Sequence, residues 1–459
     1  MNILIIIVTW NKKNYVLDLL KSITTLERSD YSIDILVVDN ASEDETAEAI
    51  TTNYPQVNLI CNPENIGGTG GFNTGLQWAF AKDDYQYLWL LDNDVLVHKQ
   101  ALIELVNVLE ENPDIAIAGS TMLQLDYPWR VNEMGAFINR VTGKLILNRH
   151  LETIPNWRGY SASELLNQKA DLTKHLTHCQ PYMDVEYVAA ASLLINAKVA
   201  KQAGIWRDYF IHFDDVEWCL RIADMGYRVV VSAKSLIWHL SAIAKIPTWI
   251  LYYDNRNVLD LLKNHGATSV DLKKLQGYIL KKAAYYHIIG KPDLAQLHYD
   301  AVDDFNNKIY GKKDIKLTHN YQNNNEISPI FMDTKFKRIL VSWPVNIHAM
   351  GIQEIIVKAQ IKRPELQIDW IPLPTGETLP QVPRARFIRP MPKSIFKRLL
   401  NYWRLRGNYD LVIQSDYQPS LFLSWLKADL LFINDESFCL RSQPKFANIL
   451  KAVLKYIKK

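Results

Sequence analysis

Tyr87-Leu88-Trp89-Leu90-Leu91-Asp92-Asn93-Asp94 is an apolar run of strand length that ends in two acids one residue apart. In this arrangement Asp92 and Asp94 can face one divalent cation, and a histidine from elsewhere in the chain can complete its coordination. Triplets of this kind also occur in solvated turns, so the surrounding sequence decides whether a metal site is indicated.

Three further apolar runs precede this one, and each ends in a polar loop: residues 3–8, 35–38 and 57–60. Helix-like segments lie between the runs at residues 15–25 and 43–52, and Ser42 is the expected N-cap of the second segment. Strands that alternate with helices predict βαβ units and a mostly parallel sheet, which is an α/β fold.

The polar loops at the strand ends are the expected functional part of this fold. Ligands of open parallel sheets bind beyond the carboxyl ends of the strands. The sequence therefore predicts a single cleft lined by the loops at residues 9–11, 39–42, 62–71 and 92–94.

Motifs along the first half of the chain make the comparison with known families more specific. They are Val8-Thr9-Trp10-Asn11, Val37-Val38-Asp39-Asn40-Ala41-Ser42, Asn65-Ile66-Gly67-Gly68, the acid triplet, the run from Phe210 to Arg221, and Ile237-Trp238-His239. In this order they resemble the inverting GT-A glycosyltransferases of the large glycosyltransferase family 2, which includes galactofuranosyl- and rhamnosyltransferases. The resemblance covers residues 1–260 and implies a Rossmann-like GT-A catalytic domain, followed here by a helical segment and a smaller α/β domain.

The resemblance also implies roles for the acids and the histidine. Asp92, Asp94 and His239 would hold Mn²⁺ or Mg²⁺, which stabilises the charge on a departing nucleotide. Asp215, next to Asp214, would remove the proton of the acceptor hydroxyl. The alternative for this acid pair is helix-start chemistry, in which both acids cap a helix and interact with its dipole.

The donor sugar is suggested by the tandem-glycine loop at residues 65–72 and by Phe213 before the acid pair, both similar to galactofuranosyltransferases. This favours UDP-galactofuranose, although Asn93 stands where that group often carries a third acid. A rhamnosyl- or other hexosyltransferase, using dTDP-rhamnose or another UDP-hexose, is the alternative within the class. A catalytically silent sugar-nucleotide-binding subunit is the alternative from another class.

The nucleotide-sugar is expected to meet the loops of the cleft. Asp39 is the expected uracil or ribose contact and Thr9 a further contact, although Asp and Asn at strand ends also serve local turns. The glycines permit close approach of the backbone to a sugar or phosphate and lead into a helix at residues 75–81. The full set of expected binding residues is Thr9, Asn11, Asp39, Asn65, Gly67, Gly68, Asp92 and Asn93.

Aromatic residues around the acid pair are candidates for contact with the acceptor. Trp206 and Phe213 are expected near it, with burial in the core as the alternative reading. Residues 188–195 are expected to form a buried strand whose small side chains admit a ligand close to the backbone.

Length and cysteine usage limit the expected number of domains and the expected compartment. A chain of 459 residues is long enough for two or more domains. Four cysteines without metal or redox spacing are expected to be reduced, which suits the cytoplasm. We find no leader peptide and no uninterrupted apolar stretch of membrane-spanning length, so we expect a cytoplasmic protein, soluble or peripheral on the inner face of the membrane.

The charge is distributed unevenly along the chain. Residues 335–459 carry 21 Lys or Arg against 9 Asp or Glu, and the rest carries 31 against 40. Basic amphipathic segments at 395–404 and 446–459 favour an anionic membrane surface, with helices packed on their own domain as the alternative. No nucleic-acid motif accompanies the charge.

The expected domains are a GT-A domain at 1–245, a helical extension at 246–310, a linker at 311–334 and a basic accessory domain at 335–459. The expected partners are a UDP-sugar donor and a lipid-linked or polysaccharide acceptor, and self-association stays open.

Overall fold

The computed structural model describes residues 1–27, 30–169, 171–240, 249–288, 291–317, 325–326, 328–342, 349–371, 382, 384–388, 408–415, 430–432, 437–440, 450 and 454. The chain divides into two compact units. The first comprises Met1–Ser241, Tyr252–Gln276 and Ala301–Asp314, and the second comprises Ala242–Leu251, Gly277–Asp300 and Ile315–Lys459. The predicted domain boundaries stay a prediction.

The first unit contains the large sheet. The strands of this sheet are β1 Asn2–Thr9, β2 Ser32–Asp39, β3 Asn58–Cys61, β4 Tyr87–Asp92, β5 Val95–Val97, β6 Ile115–Gln124, β7 Val131–Glu133, β10 Tyr182–Asp184, β11 Leu193–Asn196 and β12 Arg228–His239. β8 Ala136–Ile138 and β9 Leu145–Leu147 form a separate two-stranded sheet. The helices up to this point are α1 Lys13–Thr24, α2 Thr46–Asn53, α3 Gly67–Lys82, α4 Ala101–Glu111, α5 Ala162–Leu165, α6 Ala197–Ala203 and α7 Asp214–Asp224.

The strand order of this sheet is β10-β12-β6-β11-β4-β1-β2-β3, with β5 on β12 and β7 on β6. β1 runs parallel to β2 and β4, β2 to β3, and β6 to β12, whereas β11 is antiparallel to both β4 and β6. Six strands of the path therefore share one direction. This confirms the predicted α/β fold with a mostly parallel sheet.

The core explains why the first strand is apolar without interruption. Residues 3–9 of β1 are all buried, because helices cover a parallel sheet on both faces. Gly71 and Gly75 bring α3 onto β1: a Cβ at Gly71 would lie 2.3 Å from Val8, and one at Gly75 would lie 2.4 Å from Ile6. These two glycines are therefore packing residues.

Three local predictions were wrong. The helix expected at 75–81 begins already at Gly67, because packing of its glycines on the sheet outweighs their low helix propensity. Ser42 does not cap α2, which follows Glu45 in a left-handed conformation; the Ser42 hydroxyl instead donates to the Asp39 carboxylate. Of the strand expected at 188–195, Ala190–Ser192 form a 3-10 helix and only Leu193–Asn196 pair in the sheet.

Three long helices follow: α8 Ile250–Asn264, α9 Ser269–Ile288 and α10 Pro292–Asn306. In the described part of the chain, no helix is long and apolar enough to cross a membrane.

The second unit has a smaller sheet of order β13-β19-β18-β17-β14-β15-β16. Its elements are β13 Asn325–Glu326, α11 Ser328–Met332, β14 Arg338–Ser342, α12 Ala349–Lys362, β15 Gln367–Ile371, β16 Ala385–Phe387, β17 Leu411–Ser415, β18 Leu430–Phe432 and β19 Ser437–Leu440. β14 is parallel to β15 and β17, which confirms the smaller α/β region predicted here. The segment at 395–404 lies outside the described residues, as does that at 446–459 apart from residues 450 and 454.

Candidate active site

The carboxyl ends of β1, β2 and β4 bring the predicted cleft residues to one edge of the sheet. Thr9 pairs with Asp39 in register, and the Asn93 amide donates to the Thr9 hydroxyl at 3.0 Å. Asp39 is 2% exposed, and its carboxylate accepts bonds from the backbone and the hydroxyl of Ser42. These bonds support the local turn role of Asp39, and its contact with a nucleotide stays a prediction.

Asn11 also joins two of these loops. It lies in a left-handed conformation after β1, its backbone N–H donates to the Ser42 hydroxyl at 2.9 Å, and its side-chain oxygen accepts from Glu43 N at 2.7 Å. The loops after β1 and β2 are therefore held together by polar side chains.

The glycine loop packs against the segment that carries the acid pair. Gly67 has φ +77°, and a Cβ there would lie 2.1 Å from the Phe210 carbonyl oxygen. The Asn65 side chain accepts from Gly67 N, and the Asn40 amide donates to Gly67 O, both at 2.8 Å. Thr69 N donates to Phe210 O at 3.2 Å. Gly67 is thus required by contacts within the protein.

Gly68 differs from its neighbours. A Cβ at Gly68 would have nothing within 4 Å, whereas one at Gly70 would lie 2.7 Å from Ile66. Of the glycines at 67, 68, 70 and 71, only Gly68 therefore leaves open space for the close approach of a ligand.

The acid pair begins α7 in two different environments. The Asp214 carboxylate accepts from the Thr69 hydroxyl at 2.5 Å and from Asp215 N at 3.2 Å. The Asp215 carboxylate accepts from Ala190 N at 3.2 Å and from Val216 N at 2.8 Å, one bond to each oxygen. Because a carboxylate oxygen has two acceptor positions, each oxygen of Asp215 keeps capacity for another donor.

Burial and neighbouring charge separate the two acids. Burial raises the pKa of Asp215 well above its ordinary range, and the charges of Asp214 and Asp92 raise it further. Burial also raises the pKa of Asp214, but the Thr69 hydroxyl and the charge of His212 oppose that rise. We therefore infer that Asp214 ionises first and that Asp215 keeps its proton to a higher pH.

His212 supplies a cation next to this pair. Its Nδ1 lies 2.7 Å from Asp254 Oδ1. Desolvation lowers the pKa of His212, but the Asp254 carboxylate, together with the charges of Asp214 and Asp215, raises it to about 9. The side chain remains 45% exposed, so solvent screens these charges in part.

The predicted metal ligands come together only in part. His239 Nε2 lies 3.0 Å from Asp94 Oδ1, at the point where His239 pairs with Val95. Among the described residues no group of three or more His, Cys, Asp or Glu side chains could hold a metal ion. An imidazole and a carboxylate still suit Mn²⁺ or Mg²⁺, since such ions often take one or two protein ligands and complete their shell with substrate phosphates.

Two polar residues near the site were not predicted from the sequence. Glu133 is 7% exposed, and burial, opposed by the charge of His239, raises its pKa to about 7. Burial also raises the pKa of Tyr187, as do the charges of Glu133 and Asp215. A single acid in a short strand and a single tyrosine in a loop have no spacing pattern that would reveal them.

The two predicted acceptor contacts lie in different surroundings. Trp206 is 3% exposed, and its ring lies 4.8 Å from Phe72 and 5.7 Å from Trp218 between centroids, which supports a place in the core. Phe213 is half-buried in a left-handed conformation directly before the acid pair. Only Phe213 therefore has surface to offer a sugar.

Comparisons with known proteins agree on one class of enzyme. Residues 4–160 match the family described as glycosyl transferase family 2. The chain is 24% identical over 271 residues to the galactofuranosyltransferase GlfT2 of Mycobacterium tuberculosis, covering 58% of this chain and 41% of that protein. It is 28% identical over 158 residues to the abequosyltransferase RfbV of Salmonella typhimurium, covering 31% and 46%. The chain thus spans less than half the length of these curated relatives.

Two solved structures illustrate the structural similarity that was found. A mannosyltransferase from Pyrobaculum calidifontis, in complex with GDP-Man and Mn²⁺, is 15% identical with a TM-score of 0.38, covering 66% of this chain and 74% of that one. TarS of S. aureus with UDP-GlcNAc is 13% identical with a TM-score of 0.42, covering 66% and 80%.

Proposed function

We propose that this protein transfers galactofuranose from UDP-galactofuranose to a growing surface polysaccharide. The transfer inverts the anomeric centre and uses a divalent metal. The match of residues 4–160 to glycosyl transferase family 2 supports this class of reaction. The observation that carries the proposal is the acid pair of α7. Asp215 lies within electrostatic reach of Asp92, which is the last residue of β4.

Asp215 is the general base in this proposal. The acceptor hydroxyl transfers its proton to the Asp215 carboxylate while its oxygen attacks C1 of the sugar, and the bond from C1 to the diphosphate breaks to release UDP. Base catalysis is most effective when the pKa of the base lies near the working pH, and burial moves the pKa of Asp215 in that direction.

Asp214 has a supporting role. Its carboxylate is occupied by the Thr69 hydroxyl and by Asp215 N, and it faces the cation of His212. Two acids whose surroundings drive their pKa values apart commonly have different roles. Asp214 therefore fixes the start of α7 and Asp215 acts on the acceptor.

The metal ligands proposed are Asp94 and His239, with Asp92 next to them. A divalent ion bound there stabilises the negative charge that develops on the departing UDP. In the protein alone, Asp94 and His239 keep each other in place through their contact at 3.0 Å.

The nucleotide-sugar contacts proposed are those at the sheet edge. Hydrogen bonds link Asn93 to Thr9, Asn11 to Ser42 and Ser42 to Asp39, and these links between the loops support a shared binding site. Gly68 is the proposed point of close approach, since its Cβ position is open.

The choice of donor sugar is based on the curated relatives. Two of the curated relatives are galactofuranosyltransferases, and the second, from Mycolicibacterium smegmatis, is 23% identical over 208 residues. The abequosyltransferase favours a second candidate, a transferase for another hexose or deoxyhexose. A lipid-linked acceptor at an anionic membrane is proposed from the basic charge of residues 335–459.

The test is nucleotide release from UDP-galactofuranose, UDP-galactopyranose, UDP-glucose and dTDP-rhamnose, with manganese, with and without a lipid-linked glycan. We expect release from UDP-galactofuranose, enhanced by the acceptor, with an inverted anomeric centre by NMR. Asp215→Asn should lose transfer, whereas Asp224→Asn, at the exposed end of the same helix, should keep it. Nucleotide release from another donor would keep the proposed reaction but change the proposed donor sugar. Release from none of the donors would support a catalytically silent subunit.

A further inference from the structure

The segment before the acid pair has an unusual backbone. Phe210, His212 and Phe213 have φ of +68°, +65° and +65°. A left-handed conformation is unfavourable for residues other than glycine, so this segment persists only if its surroundings hold it. Because Phe213 is the residue before α7, the same backbone sets the orientation of the first turn of α7, which begins with Asp214 and Asp215.

Every carbonyl of residues 209–213 accepts a hydrogen bond. Phe210 O accepts from Thr69 N at 3.2 Å, and Phe213 O accepts from Glu217 N at 2.9 Å within α7. The other three carbonyls all accept from the side-chain amide of Asn257, at 3.2 Å from Tyr209 O, 2.8 Å from Ile211 O and 3.0 Å from His212 O. A single side chain therefore holds most of this segment.

Neighbouring residues of α8 support the same segment. Arg256 is fully buried, and its guanidinium donates to Tyr209 O at 2.9 Å and to Gly311 O at 2.8 Å. The Tyr253 ring stacks on Phe210 with centroids 5.0 Å apart, and Asp254 contacts His212. Arg256 also bonds to another part of the fold, whereas the amide protons of Asn257 serve this segment alone.

We propose that Asn257 is a positioning residue for Asp215: its amide holds the left-handed segment 209–213 and so places the start of α7 and the general base. This inference rests on the proposed function, because it assumes that Asp215 removes the acceptor proton. Asn257 lies 42 residues beyond Asp215 in the sequence and acts through the main chain of the segment.

The amide is the chemically required group. An amide nitrogen has two protons, and here they face three carbonyl oxygens, so one proton is shared. An aspartate at this position keeps the shape but has no donor, and its negative charge would face three carbonyl oxygens. The segment would then move, and a displacement of about 1 Å at a reacting group costs on the order of 100-fold in rate.

Asn257→Asp tests the proposal, with Asn112→Asp as the matched control. The Asn112 amide donates to Val108 O at 2.8 Å in α4, so the control also removes amide donors from a main-chain carbonyl. The measurements are kcat and KM for transfer, the Kd of UDP by calorimetry and the Tm of the full chain. Asn257→Ser, which keeps one donor, provides a milder change should Asn257→Asp not fold.

We expect kcat of Asn257→Asp to fall by about 100-fold, with the Kd of UDP within about threefold of the native value and a loss of Tm no larger than that of the control. Asn257→Ser should show a smaller fall in kcat. A kcat within about threefold of the native value overturns the proposal, as does a parallel loss of UDP binding and Tm beyond the control. The variant Asp215→Asn distinguishes the two proposals. If Asp215→Asn keeps transfer activity, the proposed function fails. If Asp215→Asn loses transfer activity and Asn257→Asp keeps it, only the positioning role of Asn257 fails.

Discussion

The Thr69 hydroxyl donates to the Asp214 carboxylate at 2.5 Å, across 145 residues of sequence. Thr69 is fully buried and Asp214 nearly so, and Thr69 N also donates to Phe210 O. Thr69, in the first turn of α3, therefore bonds both to the first turn of α7 and to the segment before that helix. The glycine loop and the acid pair are thus linked directly.

Thr69→Val removes the hydroxyl and keeps the shape of the side chain. We expect it to lower the free energy of unfolding by about 1–3 kcal/mol, because the buried Asp214 carboxylate loses a donor. Denaturant unfolding measures this change. Thr51→Val is the control, since the exposed Thr51 hydroxyl bonds only to Ala47 O within α2. An equal loss in both variants would contradict the prediction.

Activity should depend on pH through Asp215. The base acts only when it is ionised, and burial raises its pKa above the ordinary value of 3.8. We therefore expect kcat to fall as the pH is lowered, with a midpoint clearly above 3.8. A pH–rate profile for transfer checks this, and a flat profile down to pH 4 would argue against Asp215 as the base.

Stability should show the opposite dependence. A carboxyl whose pKa is raised in the folded protein contributes stability below its unfolded pKa, near 3.8, and that contribution is lost as the pH rises through the folded value. Asp215→Asn cannot ionise. We expect its free energy of unfolding, relative to the native chain, to increase with pH over this window, and urea titrations at several pH values measure it. A difference independent of pH would contradict this expectation.

Gly67 and Gly68 should differ sharply when replaced by alanine. Gly67→Ala adds a Cβ 2.1 Å from Phe210 O in a left-handed conformation, which costs about 1–2 kcal/mol for the backbone alone and displaces the segment before the acid pair. Gly68→Ala adds a Cβ in open space on a helix, so stability should not fall. Thermal unfolding and kcat of both variants test this, and similar losses of stability would refute it.

Metal binding should require the nucleotide. Asp94 and His239 would supply two ligands, and Mn²⁺ or Mg²⁺ commonly completes its shell with substrate phosphates and water. We expect tight binding of Mn²⁺, followed by electron paramagnetic resonance, only with UDP present, and a loss of about tenfold or more in His239→Ala. A chelator should abolish transfer without lowering Tm. Tight binding of Mn²⁺ to the protein alone would contradict this.

Much of the fold was predictable because parallel strands are buried on both faces and appear as unbroken apolar runs. The apolar runs predicted at residues 3–8 and 35–38 lie within β1 Asn2–Thr9 and β2 Ser32–Asp39. The start of α3 was not predictable, since glycines disfavour helices until they meet a neighbouring strand, as Gly71 meets Val8.

The candidate site was predictable only where its residues form motifs. Asp214, Asp215, Asp94 and His239 belong to such motifs, and the structure brings them together as two pairs. Asn257 contacts the segment 45 to 48 residues away, a relation created by tertiary packing alone. Glu133 likewise gains its character from burial, which no local pattern records.

The position of β11 has a consequence for the order in which the chain can fold during synthesis. β11 Leu193–Asn196 lies between β4 and β6, antiparallel to both. Until residue 196 has left the ribosome, the facing edges of β4 and β6 have no partner. A fragment that ends at residue 160, the limit of the family match, would expose these two apolar edges permanently and should aggregate.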